Sequence, residues 1–181
     1  MDPLKPYKIA FTGLSEGNHR FLFDIGSDFF SCFHESEVGE SAVGLDLNLE
    51  KRSNMLVLDF VFKGWVAVTC GRCLSDYQEQ VDYAERLYVK FGEDYFEESE
   101  DVVVIPFTES HFDIAHYIYE FIHLHLPLRR VHPEGSEAGC DEEMLNRLKQ
   151  HQPDKMKTKD AEPSEDSPFN ILKGIRFDKE N

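Results

Sequence analysis

Basic residues are scarce in this chain: 19 Lys and Arg stand against 35 Asp and Glu, for a formal net charge of −16. A field of that sign repels phosphate backbones and anionic membrane surfaces, which makes bulk nucleic acid and lipid poor direct partners. Cysteine is scarce too, with four in 181 residues, so a secreted disulfide framework is excluded. No apolar run approaches the roughly 18 residues that a membrane helix needs. Residues 1–10 contain Pro3 and Pro6 and no apolar segment of the signal-peptide kind. The expectation is a reduced, cytoplasmic protein with no membrane partner. Also missing are a Gly-rich phosphate loop, a Ser/His/Asp order in a supporting context, and any internal repeat.

What is present is enough apolar material for a core: 41% hydrophobic residues, including 15 Phe and 7 Tyr. Residues 7–11 and 20–25 read as short strands, and residues 28–33 as a short helix. Val43, Leu45, Leu47 and Leu49 alternate strictly with other residues, the mark of a half-buried strand. Residues 55–69 form a long central strand, bent or bulged near Gly64. Residues 78–91 alternate again, and residues 102–105 make a further short strand. Between those two lie six acids in the nine residues 93–101, expected to be a solvated loop. The period then changes over residues 112–126, read as the main helix: Ile114, Ile118, Phe121, Ile122 and His125 fall at helical spacing, with Asp113 placed to favour the start and Pro127 to end it. The expected fold class is α+β, a bent antiparallel sheet of about five to seven strands with one main helix packed on it. Residues 1–150 form the domain, with a short polar helix over 141–150. Residues 151–167 read as a disordered linker, and residues 168–181 as a short apolar docking segment.

The chemistry concentrates at Cys70-Gly71-Arg72-Cys73. A Cys-x-x-Cys turn sets two sulfurs on one side, which suits half a zinc site or a redox pair. His132 and Cys140 are the candidates for the other half, at looser spacing than a regular knuckle. The competing readings are plain packing, with Cys70 as a small hydrophobe and Cys73 half exposed, and thiol–disulfide chemistry. Redox pairs of this spacing usually open a helix, whose N-terminus lowers the first thiol's pKa. Residues 74–80 lead into a strand pattern instead. A bound zinc would contribute on the order of 10 kcal/mol to holding the loop on the sheet. His116 and His123 share a helix face, where a histidine is more often a boundary residue than a ligand. The strand aromatics, from Phe11 to Trp65, carry no interleaved Lys or Arg and read as core rather than as base-stacking platforms.

Four elements in order carry a resemblance. They are Val-Thr-Cys-Gly-Arg-Cys-Leu at 68–74, Glu-x-Ile-x-Leu-x-Leu-Pro at 120–127, Val-His-Pro at 131–133 followed by Cys140, and Ser-Pro-Phe-Asn-Ile-Leu-Lys at 167–173. Over roughly residues 40–177 the chain resembles the bacterial YceD family of large ribosomal RNA subunit accumulation proteins. The resemblance implies a non-enzymatic role in ribosome biogenesis, supporting accumulation of the large-subunit (23S) RNA. It also implies a shared metal or structural cluster at Cys70, Cys73, His132 and Cys140, with Zn2+ as the structural cofactor. An acidic chain is a poor direct ligand for that RNA, so the expected partner is a basic ribosomal protein or a large-subunit assembly factor. The Phe169-containing segment is expected to dock on that partner or on the domain itself. A thiol–disulfide redox protein using Cys70 and Cys73 is the alternative from a different functional class.

Overall fold

In the computed structural model, residues 3–133 and 139–151 are described. The expected linker and the apolar segment at 168–181 lie outside the described residues. The chain divides into two compact units, residues 1–141 and 142–181. The first contains strands β1 (Lys8–Ala10), β2 (Gly17–Gly26), β3 (Ser41–Lys51), β4 (Met55–Thr69), β5 (Asp76–Gly92), β6 (Phe96–Ser99), β7 (Val102–Pro106) and β8 (His111–Asp113). It also contains a one-turn helix α1 (Ser27–Phe30) and the main helix α2 (Ala115–His125). In the second unit the described part is the helix α3 (Glu142–His151), with an Arg147–Glu143 pair one turn apart at 2.5 Å.

The class is α+β. Six strands form one sheet in the order β2-β3-β4-β5-β7-β6, and β1 pairs with β8 in a separate two-stranded ribbon. The first four are an antiparallel meander. Strand β7 then pairs parallel to β5, and β6 closes the far edge antiparallel to β7.

Period-two alternation fixes which face is buried, since successive side chains point to opposite sides. Val43, Leu45, Leu47 and Leu49 of β3 lie opposite Gly64, Phe62, Phe60 and Leu58 of β4, and nearly all are fully buried. Helix α2 covers this face. Its Phe121 ring meets Phe60 edge-on at 5.3 Å, and Ile118 and Ile122 are fully buried beneath it. Burying each such side chain is worth roughly 1.5–3 kcal/mol. The opposite face is mostly polar, with exposed pairs such as Arg20–Asp46 at 2.6 Å and Arg86–Asp59 at 2.5 Å beside the exposed apolar Leu22 and Val61. Exposed pairs of this kind contribute little stability.

Three expectations need correction. Gly64 is not a bulge: the register runs unbroken past it on both sides, Val43↔Gly64 and Gly64↔Val81. It is glycine because its φ is +147° and an added Cβ would sit 2.0 Å from the Ala42 carbonyl oxygen. Part of the acidic run is not loop, because residues 96–99 pair with β7 as an edge strand. All four of its residues are exposed, which is why no burial alternation marked it. The main helix begins at Ala115, three residues later than the expected start at residue 112. Residues 111–113 are taken by the ribbon with β1, and the Ala115 N–H donates to Asp113 Oδ1 at 3.0 Å.

Candidate metal centre

Strands β4 and β5 pair as far as Thr69↔Asp76, so residues 70–75 are the hairpin loop. The loop is closed by its own backbone: the Cys70 N–H donates to the Ser75 carbonyl at 3.0 Å, and the Leu74 N–H to the Cys70 carbonyl at 2.9 Å. Closing so tightly forces Leu74 to φ +64°, a left-handed conformation that L-residues other than Gly and Asn seldom adopt. The two cysteines are thereby turned inward, Cys70 fully buried and Cys73 3% exposed.

The other half arrives from beyond α2. The helix stops at His125, Leu126 is extended, and the chain returns past Pro127 along the hairpin loop. The Gly71 N–H donates to the Arg130 carbonyl at 2.7 Å, which clamps the returning segment to the cysteine turn. Two residues on, His132 is buried, with Tyr77 packed against its ring at 5.2 Å.

The four residues anticipated from sequence meet. Their ligand atoms all lie within 4.8 Å of one another. His132 Nδ1 is 3.5 Å from Cys73 Sγ and 3.5 Å from Cys140 Sγ, and Cys70 Sγ is 3.9 Å from Cys140 Sγ. All three cysteines are free thiols. Cys73, given as half exposed in the packing reading, is buried. Such a group can hold a metal ion. It meets the second demand of a thiolate site as well, because backbone amides point at the sulfurs: the Arg72 N–H lies 3.4 Å from Cys70 Sγ.

The acidities follow from this geometry. Burial pushes the Cys70 thiol up, but amide donors at Cys73, Arg72 and His132 outweigh it and bring it down to about 7. Cys73 is also lowered, with burial opposed by the amides of Ser75 and Asp141. Cys140 goes the other way, raised first by burial and then by Cys73 and Cys70 beside it. Three sulfurs this close cannot all ionise in a dry site without a counter-cation.

The remaining sequence candidates stay apart from this cluster. His116 pairs with Glu120 at 2.9 Å, and His125 stacks on Tyr83 with centroids 3.7 Å apart. His123 bonds the Tyr119 carbonyl through Nδ1 at 2.8 Å. Of the expected core aromatics, Phe11, Phe29, Phe30, Phe60 and Phe62 are buried, whereas Phe21, Phe23 and Trp65 are only half-buried. Among the described residues no helix is long and apolar enough to cross a membrane. A second concavity, unmarked in the sequence, opens between Tyr95, Glu109, Phe112 and Tyr117. Apart from Tyr95, its lining falls within residues 105–117, where the chain passes from β7 through β8 into α2, and no regular spacing announces it.

A family-wide sequence model described as large ribosomal RNA subunit accumulation protein YceD matches residues 58–176, a span that includes all four residues of the cluster. Comparison with curated proteins and with solved structures gave no match.

Proposed function

The chain belongs to the YceD family of large ribosomal RNA subunit accumulation proteins, and on that premise we propose that it is a non-enzymatic ribosome biogenesis factor working as an adaptor. In this reading its acidic surface holds a basic ribosomal protein or large-subunit assembly factor, and a structural zinc ion clips the hairpin loop to the segment after α2. Membership of the family implies a role in accumulation of the large-subunit ribosomal RNA, and the family is not one of known enzymes. The observation that carries the adaptor role is the excess of 35 acids over 19 bases. A surface of that sign attracts polycations and shields them from premature contact with RNA.

The choice of zinc rests on the donor set. Three thiols and an imidazole, in a reduced compartment, form one of the common structural zinc sets. With bonds of about 2.3 Å to sulfur and about 2.0–2.1 Å to nitrogen, a tetrahedron has edges of about 3.8 Å and 3.6 Å. Three of the six edges, 3.9 Å for Cys70–Cys140 and 3.5 Å for His132 to Cys73 and to Cys140, support that fit, and all six lie within 4.8 Å. Burial argues for a structural site, since Cys70, Cys73 and His132 leave little room for a substrate. The thiol–disulfide alternative gains from a Cys70 acidity near neutrality. It loses from the strand rather than helix that follows the pair, and from the third sulfur and imidazole that occupy the space of an incoming disulfide.

The adaptor role is tested by affinity capture of the tagged full chain from growing cells under gentle lysis. Recovery of basic ribosomal proteins is expected, and RNA recovered without them would refute the role. Deleting the gene should lower large-subunit RNA relative to small-subunit RNA, and unchanged subunit profiles would remove the functional reading altogether. Zinc is tested by elemental analysis of untagged protein. About one equivalent is expected, and less than about a tenth would refute the clip.

A further inference from the structure

A cavity of about 520 Å³ opens where the end of β7, strand β8 and the start of α2 meet, lined by Tyr95, Glu109, Phe112, Asp113, His116 and Tyr117 among others. Its walls are aromatic. Phe112 and Tyr117 stack at 5.4 Å, and the Tyr95 and Tyr117 hydroxyls meet at 3.4 Å. Tyr95, Phe96 and Phe107, on the segments that border it, are more than half exposed. That is a dense set of exposed rings for a chain with a well-filled core elsewhere, and such rings are typical of anchoring points in protein interfaces.

The rim is anionic. The Glu109 side chain makes no hydrogen bond or ion pair among the described residues. Asp113 is only loosely matched by Lys8, at 3.7 Å with both side chains about half exposed. The six acids of residues 93–101 flank Tyr95 on both sides, and of these Glu98 is taken up by Lys90. His116 is occupied by Glu120. The free charge facing the opening is therefore negative, over rings whose faces are themselves electron-rich.

The geometry points to a socket for an arginine side chain presented by a basic protein segment. A guanidinium is planar, stacks on aromatic faces and bonds carboxylates in a fork, so it satisfies both walls and rim at once. The cavity exceeds what one side chain fills, leaving room for the residues on either side of it. The inference rests on the adaptor reading and gives that reading a place of contact. The acidic run then has a role: it draws in the polycation, and the Tyr95 socket fixes it.

The test uses the full chain purified with zinc, and a labelled peptide of alternating Gly and Arg titrated at low salt. Tyr95→Ala and Glu109→Gln should each weaken binding about fivefold, the size of one cation–ring contact or one charged hydrogen bond. Tyr95→Phe, which keeps the ring, should bind as the unchanged chain does. Asp82→Asn removes one exposed carboxylate from β5, away from the cavity, and should change binding less than twofold. A lysine peptide of equal charge should bind more weakly. Equal losses in Glu109→Gln and Asp82→Asn would overturn the socket, because attraction would then be diffuse. Equal affinity for the lysine peptide would overturn the guanidinium assignment. A single-stranded RNA oligomer whose binding depends on Tyr95 would overturn the partner class. Should the socket variants still capture basic ribosomal proteins from cells, the socket falls and the adaptor role stands. Should capture fail with the unchanged chain while the peptide still binds at Tyr95, the adaptor role falls alone.

Discussion

Replacing Cys140 by Ser separates a ligand from a packing residue. Cys140 is the most exposed member of the cluster, so the substitution removes a donor while leaving the apolar core intact. It forfeits the contacts at 3.9 Å to Cys70 and 3.5 Å to His132. A four-ligand structural zinc binds with an apparent 10–16 kcal/mol near neutral pH, so one donor of four is worth about 3–4 kcal/mol, or roughly 100- to 1,000-fold in affinity. Zinc bound only to the folded state adds RT ln(1 + [Zn]/Kd) to stability. At fixed free zinc well above the Kd of both proteins, Cys140→Ser should therefore lose about 3–4 kcal/mol. In a chain of this length each kcal/mol moves the melting temperature by about 2–4 °C, so the loss is about 6–16 °C. The decisive comparison is with a chelator present. Both proteins then melt metal-free, and the gap between them should shrink to about 1 kcal/mol or less, the ordinary cost of a half-buried Cys→Ser change. A gap that persists undiminished in chelator would refute the reasoning, because Cys140 would then act by packing. A gap that appears only under oxidising conditions would point instead to a disulfide.

Other parts of the fold give independent tests. Gly64→Ala puts a Cβ 2.0 Å from the Ala42 carbonyl oxygen at a φ of +147°, so urea denaturation should show a loss of about 3 kcal/mol or more, and a loss under 1 kcal/mol would contradict the close approach. Leu74→Gly relieves the positive φ of an exposed residue, and the relief of about 1–2 kcal/mol should exceed the added chain entropy, leaving a net gain of about 0.5–1 kcal/mol. Burial, and after it the charge of Glu85, raises the Tyr83 phenol above its ordinary value of 10.0. The folded state then holds a proton that the unfolded state releases, so stability is retained below pH 10 and falls as pH rises beyond it. Tyr83→Phe should flatten that alkaline limb in thermal melts, and an unchanged limb would place the sensitivity elsewhere.

Much of this was legible in the chain because one face of the sheet is dry and the other wet. Strict alternation at Val43–Leu49 marked that strand and its inward face, since a slip of one residue would expose every Leu. Met55–Thr69, apolar on both faces in places, was legible as a strand from its Val, Phe and Leu content. The cluster was legible for another reason: Cys and His have few structural uses together, so even a loose His132–Cys140 spacing carried information. Burial cannot announce what is not buried, and so the exposed strand Phe96–Ser99 passed for loop. The start of the helix was misplaced because Phe112 is buried in a ribbon with β1 rather than on the helix, and an apolar residue bears no label saying which partner buries it. The long-range facts were out of reach altogether. Gly64 read as a bend or bulge within the strand, and only the position of Ala42, twenty-two residues earlier, gives it its reason.

The centre and the socket are made from the same two connections, at opposite ends. Helix α2 enters from the ribbon strand His111–Asp113, beside the socket, and leaves through Pro127 toward His132 and the cysteine turn. Its middle is fixed to the sheet by Phe121 on Phe60, but each end depends on its own closure. At the N-terminal end that closure is the pairing of β8 with β1 and the Asp113 acceptor; at the C-terminal end it is the Gly71–Arg130 bond and the four ligand atoms. The packed middle insulates the two ends, since Ile118 and Ile122 are fully buried against a rigid sheet. Removing zinc should therefore raise amide exchange through the hairpin loop 70–75 and residues 126–133, with little change at 105–117. Hydrogen exchange of the zinc-loaded and chelated chain measures this directly. Equal loss of protection at both ends would mean that the clip holds the whole helix in place, and that socket and centre rise and fall together.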